Sequence, residues 1–195
     1  LYRIRPGVRH ATRFHRTEMP HWRTAPAREE ADLPIQQLRW SPIPIPENER
    51  LTFLTGMRTI TTCGDADTQA GMASHVFLAT QSMEDSYFTN ADGELLIAPE
   101  TGRLQIFTEL GKMQAGPSDI AVVPRGMTFK VELLEGPARG YVCENYGGKF
   151  TLPDRGPIGA NCLANPRDFK TPVAAYEDKD GIDGTITLKW GGGFH

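Results

Sequence analysis

The sequence predicts a mainly β protein, a cupin-like antiparallel β-sandwich or barrel carrying an extended N-terminal arm and a Gly/Pro-rich ordered C-terminal loop. Short apolar segments follow one another through residues 87–145, and Gly-, Pro- and Asp-rich joints separate them. The whole chain also holds 20 Gly and 15 Pro, which favours strands and ordered loops over helices. Such spacing is typical of antiparallel strands joined by tight turns. We expect strands at residues 94–98, 103–109, 120–123, 128–134 and 139–144.

Further strands are expected on both sides of this region. Residues 52–62 alternate well enough for one strand, with Gly64 and Asp65 as a turn, and residues 73–80 predict another. Residues 172–176 predict a short strand, and residues 185–190 alternate again and close the fold. The chain therefore divides into an arm at 1–50, a degenerate cupin-like barrel core at 51–150, and an ordered loop with closing strands at 151–195.

The N-terminal arm lacks sustained periodicity. Residues 6–46 are rich in Pro and carry a charged tract at 28–32, a pattern that indicates an extended segment laid over another surface. Within it, Trp40 is expected to pack against the barrel.

Composition narrows the classes of partner. Hydrophobic residues make up 39% and charged residues 23%, as in a soluble globular protein, and the net charge of −3 gives no reason to expect nucleic acid or an anionic membrane. No apolar run approaches the roughly 20 residues of a membrane-spanning helix. Cys63, Cys143 and Cys162 are odd in number and far apart, so we expect no disulfide framework or zinc cluster, and a reducing, cytoplasmic setting.

Residues 118–129 resemble the second sequence motif of the cupin superfamily, but Phe129 stands where that motif has a metal-binding His. Glu94 aligns with the Glu of the first motif, and residues 87–92 before it contain no His. A carboxylate beside a Phe cannot supply converging metal ligands. We therefore expect Glu94 to be solvated or to brace a turn, and we assign no catalytic, cofactor-binding or metal residue.

The histidines give no clear metal site either. His10, His15 and His21 lie five and six residues apart, on neither one strand face nor one helix face, so surface or packing roles are expected. His75, inside the barrel, is expected to be a hydrogen-bonded structural residue. A metal-dependent isomerase or dioxygenase that uses these four residues stays an alternative, and it requires the arm to fold into the barrel mouth.

Several segments are similar to the homogentisate 1,2-dioxygenase family, in order along essentially the whole chain. They include QLRW at 37–40, SMED at 82–85, NADGELLI at 90–97 and ARGY at 138–141. The block GPIGAN at 156–161, followed by LANPRDF at 163–169, is long and unusual and makes the resemblance specific. Cys162 replaces the Gly that the family block leads us to expect.

This resemblance implies an enzyme that opens the homogentisate ring with O₂ to give maleylacetoacetate, in tyrosine and phenylalanine catabolism. It implies Fe(II) held by two His and one Glu in a C-terminal catalytic domain beyond this chain. The 195 residues, which look cut at both ends, would then form an N-terminal structural and assembly domain. We expect that domain to be inactive alone, to bind no iron, and to belong to a hexamer built as a dimer of trimers. The alternative is a stand-alone, non-catalytic cupin-like module that holds a small apolar ligand in its lumen.

Overall fold

Two β-sheets face each other in the computed structural model, which describes residues 12–26, 39, 41–156, 163–176 and 184–195. In chain order the strands are β1 Met57–Asp65, β2 Ala70–Ala79, β3 Ser86–Asn90, β4 Glu94–Thr101, β5 Leu104–Thr108, β6 Gly111–Ala115, β7 Ala121–Val123, β8 Thr128–Leu133, β9 Ala138–Asn145, β10 Thr185–Trp190 and β11 Gly193–Phe194. Helical structure in the described residues is one 3₁₀ turn, Pro166–Asp168, and no helix there has the length and apolar character needed to span a membrane.

The strand order is β1-β2-β9-β4-β7 in the five-stranded sheet and β11-β10-β3-β8-β5-β6 in the six-stranded sheet. Neighbouring strands are antiparallel except β10 and β3, which pair in parallel from Thr185 opposite Ser86 to Lys189 opposite Asn90. The predicted fold class, a mainly β sandwich, is confirmed.

Aromatic side chains fill the space between the sheets. Phe53 packs on Phe77 with ring centroids 5.2 Å apart, and Phe88 meets Phe129 edge-on at 5.7 Å. Tilted and edge-on contacts suit the quadrupoles of aromatic rings, which are positive at the edge and negative on the face. The interior is therefore filled by packed side chains.

In the described part of the N-terminal arm, Trp22 packs into this core. Trp22 is buried and lies 5.2 Å from the ring of Phe88 and 5.3 Å from that of Phe194. Backbone bonds from Thr17 to Phe194 and from Thr59 to His21 hold the segment on either side. Trp40, the anchor predicted from the sequence, lies outside the described residues.

Some predicted strand limits were wrong. Residues 52–56 form a turn, because Thr52 and Thr55 hydrogen-bond each other's backbone N–H, and β1 begins only at Met57. Gly64 lies within β1 opposite Gly71, and the turn follows it, where the Asp65 carboxylate accepts from the backbone N–H of Thr68 at 2.7 Å.

The predicted strand at 172–176 was also wrong. Only Val173 pairs there, exchanging two backbone hydrogen bonds with Lys112 of β6. The predicted strand at 185–190 is present as β10, whereas β3, β6 and β11 were not predicted.

Candidate functional site: a buried charged cluster

A carboxylate lies at the centre of the interior. Glu144 ends the inward-facing row of β9 and is fully buried. Its Oε2 accepts from Nε1 of Trp22 at 3.2 Å, from Nε2 of His75 at 3.2 Å and from the hydroxyl of Tyr146 at 3.1 Å. Its Oε1 accepts from Nδ2 of Asn90 at 2.6 Å and from Nζ of Lys189. A carboxylate offers about four acceptor positions, so five donors leave none unused.

The ammonium group of Lys189 supplies the opposite charge. It is fully buried and also donates to Oδ2 of Asp92 at 3.2 Å. The rings of Tyr146 and Trp22 lie 5.4 Å and 5.9 Å from Nζ, close enough for cation–π attraction. A buried lysine charge needs such partners, since desolvation alone would favour the neutral amine.

Asp92 joins this cluster to the turn after β10. Its Oδ1 accepts from the backbone N–H of Gly191 at 2.7 Å, and its Oδ2 accepts from that of Gly192 at 3.0 Å. The carbonyl oxygen of the Asn90 side chain accepts in turn from the backbone N–H groups of Asp92 and Gly93. The β3–β4 turn and the β10–β11 turn are thus fixed to each other.

His75 is hydrogen-bonded through both ring nitrogens, as predicted for a structural histidine. An ionised carboxylate only accepts, so Nε2 donates to Glu144. Nδ1 lies 2.9 Å from the hydroxyl oxygen of Thr59, which also accepts from the backbone N–H of Arg23 at 2.7 Å. The histidine therefore connects β2 to β9 and, through Thr59, to the N-terminal arm.

Two groups in the cluster have shifted pKa values. Burial by itself raises the pKa of Glu144, but the charge of Lys189 and the hydrogen bond and charge of His75 outweigh it and lower the pKa to about 2. Burial, followed by the charge of Glu144, raises the pKa of the Tyr146 hydroxyl far above its ordinary value. The carboxylate thus stays ionised at neutral pH and the phenol stays protonated.

The cluster does not fit an iron site. A facial triad needs two imidazoles and a carboxylate with open positions beside them, whereas here a lysine ammonium occupies the space between the two carboxylates. Throughout the described ranges, no group of three or more His, Cys, Asp or Glu side chains is placed to hold a metal ion. What the arrangement does is join β2, β3, β9, β10 and the N-terminal arm through one carboxylate.

The residues singled out in the sequence lie elsewhere. Glu94 is buried, not solvated, and its carboxylate braces the loop after β9 by accepting from the backbone N–H of Phe150 at 2.6 Å. Phe129 is buried among aromatic rings. His15 and His21 are exposed, and His10 is outside the described residues. Among the cysteines, Cys63 is exposed and Cys143 is buried, both as free thiols, and Cys162 is outside the described residues.

Sequence reasoning missed Glu144, Lys189 and Asp92. A signal for Glu144 existed, because it continues the inward phase of Ala138 and Val142. An acidic residue at such a position requires a buried partner. No sequence pattern identifies that partner, Lys189, which lies 45 residues further along the chain.

Two facing sheets with an apolar and aromatic interior, joined by a buried charged cluster, define a β-sandwich domain. The chain belongs to the family described as homogentisate 1,2-dioxygenase N-terminal, whose model matches residues 1–195. It is 64% identical over 197 aligned residues to the homogentisate 1,2-dioxygenase of Rhizobium meliloti (strain 1021) and 62% identical over 195 to that of Rhodopseudomonas palustris (strain TIE-1). Both alignments cover 100% of this chain and 43% of the relative, so the chain spans about two fifths of those proteins.

Comparison with solved structures finds cupin proteins at low TM-scores. A cupin superfamily protein from Desulfitobacterium hafniense matches with a TM-score of 0.41 and 17% identity, over 56% of this chain and 93% of that one. A cupin-2 domain protein from Shewanella frigidimarina matches with a TM-score of 0.37 and 16% identity, over 46% of this chain and 78% of that one. Because both TM-scores are below 0.5, the family assignment rests on the sequence matches alone.

Proposed function

We propose that this chain is the N-terminal structural and assembly domain of an Fe(II)-dependent homogentisate 1,2-dioxygenase. The observation that carries the proposal is the family match over residues 1–195 together with a coverage of 43% of the relatives. In this proposal the whole enzyme cleaves homogentisate with O₂ to maleylacetoacetate in the cytoplasm, as a hexamer of two trimers. The arm at 1–50, the core at 51–150 and the closing segment at 151–195 then lead into a catalytic domain.

The charged cluster supports a structural task for this part of the enzyme. Glu144 has donors on both oxygens, so no lone pair remains to accept a proton from a substrate or to bind iron. Asp92 is similarly engaged by Lys189 and two backbone N–H groups. Side chains so fully paired hold elements in register, which a rigid scaffold beside a catalytic domain requires.

The test compares the full-length enzyme with the isolated 195 residues after identical reconstitution with Fe(II). We expect about one iron per full-length chain and ring opening, monitored as maleylacetoacetate absorbance, and neither in the isolated domain. Circular dichroism of the isolated domain checks that it is folded. Ring opening by folded residues 1–195 would refute the proposal, as would a full-length protein that holds iron yet leaves homogentisate intact.

A binding module is the second candidate, and one pocket favours it. The lumen suggested from the sequence is filled by aromatic side chains, but a pocket of about 340 Å³ lies on the outer face of the six-stranded sheet. Tyr87, Phe107 and Tyr176 line it, and Nζ of Lys130 sits 4.8 Å from the Phe107 ring centroid. Binding of small aromatic compounds, read as chemical-shift changes lost in Phe107→Ala, would support a module of this kind.

A further inference from the structure

In strand β10 the polar side chains face the interior and the apolar side chains face outward. Thr185, Thr187 and Lys189 form one side, and Lys189 points into the interior toward Glu144. Because side chains alternate along a strand, Ile186, Leu188 and Trp190 must point away from the other sheet. We call these three residues the β10 stripe. An apolar stripe outside and a polar row inside is the reverse of the pattern that a solvated sheet face requires.

The β10 stripe is open in the part of the chain that the structure describes. Ile186 is 43% exposed and Trp190 is 69% exposed, while Leu188 is half-buried between them. The neighbouring strand extends the apolar surface, since Tyr87 of β3 lies beside Ile186 in the parallel register. Ile186, Trp190 and Tyr87 thus belong to one apolar surface on the outer side of the six-stranded sheet.

The charged cluster explains why the stripe cannot simply turn inward. Rotating β10 by one residue would bury Ile186 and Leu188, but it would remove the Lys189 ammonium from Glu144 and Asp92. Two buried carboxylates would then lack a counter-charge, which is costly. The orientation of β10 is thus fixed by Lys189, and the apolar side remains for another surface to cover.

The size of the stripe indicates the kind of partner. Six residues of one strand with its neighbour span about 20 Å by 10 Å, or roughly 200 Å². A stable complex between separate proteins buries about 800 Å² on each partner. A surface this small is sufficient for a segment that is tethered to it, because the tether keeps the local concentration high.

We propose that the β10 stripe is the docking surface for the C-terminal remainder of the same polypeptide. The relatives supply that remainder, since this chain matches an N-terminal family and covers 43% of their length. This inference rests on the proposed function and names the surface through which the structural domain contacts the rest of its enzyme. The apolar stripe would be matched by an apolar surface, with Trp190 as the large aromatic anchor.

The experiment uses the full-length protein with Trp190→p-benzoylphenylalanine, which replaces one exposed aromatic side chain by another that cross-links on illumination. Equal amounts of ¹⁴N- and ¹⁵N-labelled chains are mixed before assembly, so that links within one chain and between chains differ in mass. We expect the main cross-linked peptide to join residue 190 to a residue beyond 195 of the same chain. A link between two chains, a link confined to residues 1–195, or no link in the folded protein would each overturn the proposal.

Matched variants test whether the contact is apolar. Adding Ile186→Asp to the photoreactive protein should reduce the yield of that cross-link at least tenfold. Ile120→Asp, at an isoleucine that is 67% exposed next to β7 in the other sheet, should leave it unchanged. Equal reduction by both variants would overturn the assignment to β10. Iron content and ring opening of the photoreactive protein test the proposed function separately, so an active enzyme without the cross-link refutes the docking alone.

Discussion

Lys189 of β10 and Glu144 of β9 meet in the interior between the two sheets, although 45 residues separate them along the chain. Both side chains are fully buried, and they belong to different sheets. The pair therefore joins the sheets directly. Removing either partner leaves the other charge in a medium that solvates it poorly.

Glu144→Gln should destabilise the protein strongly, because Lys189 loses its main counter-charge and the new amide places N–H groups against existing donors. We expect a loss of about 3–5 kcal/mol in the free energy of unfolding. Denaturant titration followed by intrinsic fluorescence measures it. The control is Glu135→Gln, which removes a surface pair with Arg103 whose side chains are 39% and 63% exposed. That change should cost under about 1 kcal/mol, and equal losses in the two variants would contradict the importance of the cluster.

Stability should fall as the pH is lowered from about 4.5 to about 2. The folded-state pKa of Glu144 is lowered from 4.5 to about 2, so the unfolded state takes up the proton first. The contribution of Glu144 is complete above pH 4.5 and disappears as the pH approaches 2. Unfolding free energies at several pH values, for the natural protein and Glu144→Gln, isolate this contribution as their difference. A difference that stays constant across the interval would contradict the lowered pKa.

Lys189→Met should also destabilise the protein by about 3–5 kcal/mol, because the buried carboxylates of Glu144 and Asp92 then lose the ammonium group that they share. Combining it with Glu144→Gln removes one of those unpaired charges, so the double variant should lose less than the sum of the single losses. A double-mutant cycle of unfolding free energies measures the difference. Strictly additive losses would mean that the two side chains act independently.

Gly140→Ala should cost about 1–3 kcal/mol through overpacking. A Cβ atom there would lie 2.5 Å from the carbonyl oxygen of Ala98 and 2.5 Å from Cε1 of Phe77, and the backbone contact cannot move aside easily. Gly148→Ala is the matched control, since its Cβ would meet nothing within 4 Å. Thermal unfolding compares the two variants. A Gly140→Ala protein as stable as the control would show that β4 and β9 are packed less tightly than described.

Phe129→His, which restores the histidine of the cupin motif, should not create a metal site. Residue 129 is buried between Phe53 and Phe88, whose ring centroids lie 6.1 Å and 5.7 Å from its own. An imidazole there would lack hydrogen-bond partners, so we expect lower stability and no bound iron. Metal analysis after dialysis, compared with the natural chain, checks this. Stoichiometric iron in the variant would reveal a hidden ligand set.

The sequence predicts strands well where one face is clearly apolar. In β9 the inward residues Ala138 and Val142 alternate with Arg139 and Tyr141, and the strand was predicted almost to its limits. In β3, by contrast, Tyr87 and Phe88 are adjacent aromatic residues, and only pairing with β8 places Phe88 inside. Strand β6 has a single large apolar residue, so its sheet position depends on β5 and not on its own pattern.

The pairing of Lys189 with Glu144 was beyond the reach of sequence patterns for a related reason. In β10 the apolar residues Ile186, Leu188 and Trp190 alternate with polar ones, and the structure turns the apolar side outward. The deciding interaction is the attraction between Lys189 and a carboxylate on a distant strand. Local periodicity does not report such long-range electrostatic pairs.

The two partners of the buried ion pair are synthesised at different times. Strands β1 to β9 are all synthesised before residues 185–190, so Glu144 leaves the ribosome well ahead of the ammonium group that neutralises it. Until Lys189 follows, the carboxylate lacks the ammonium group with which it is paired in the folded domain. The charged cluster is therefore one of the last parts of this domain that a growing chain can assemble.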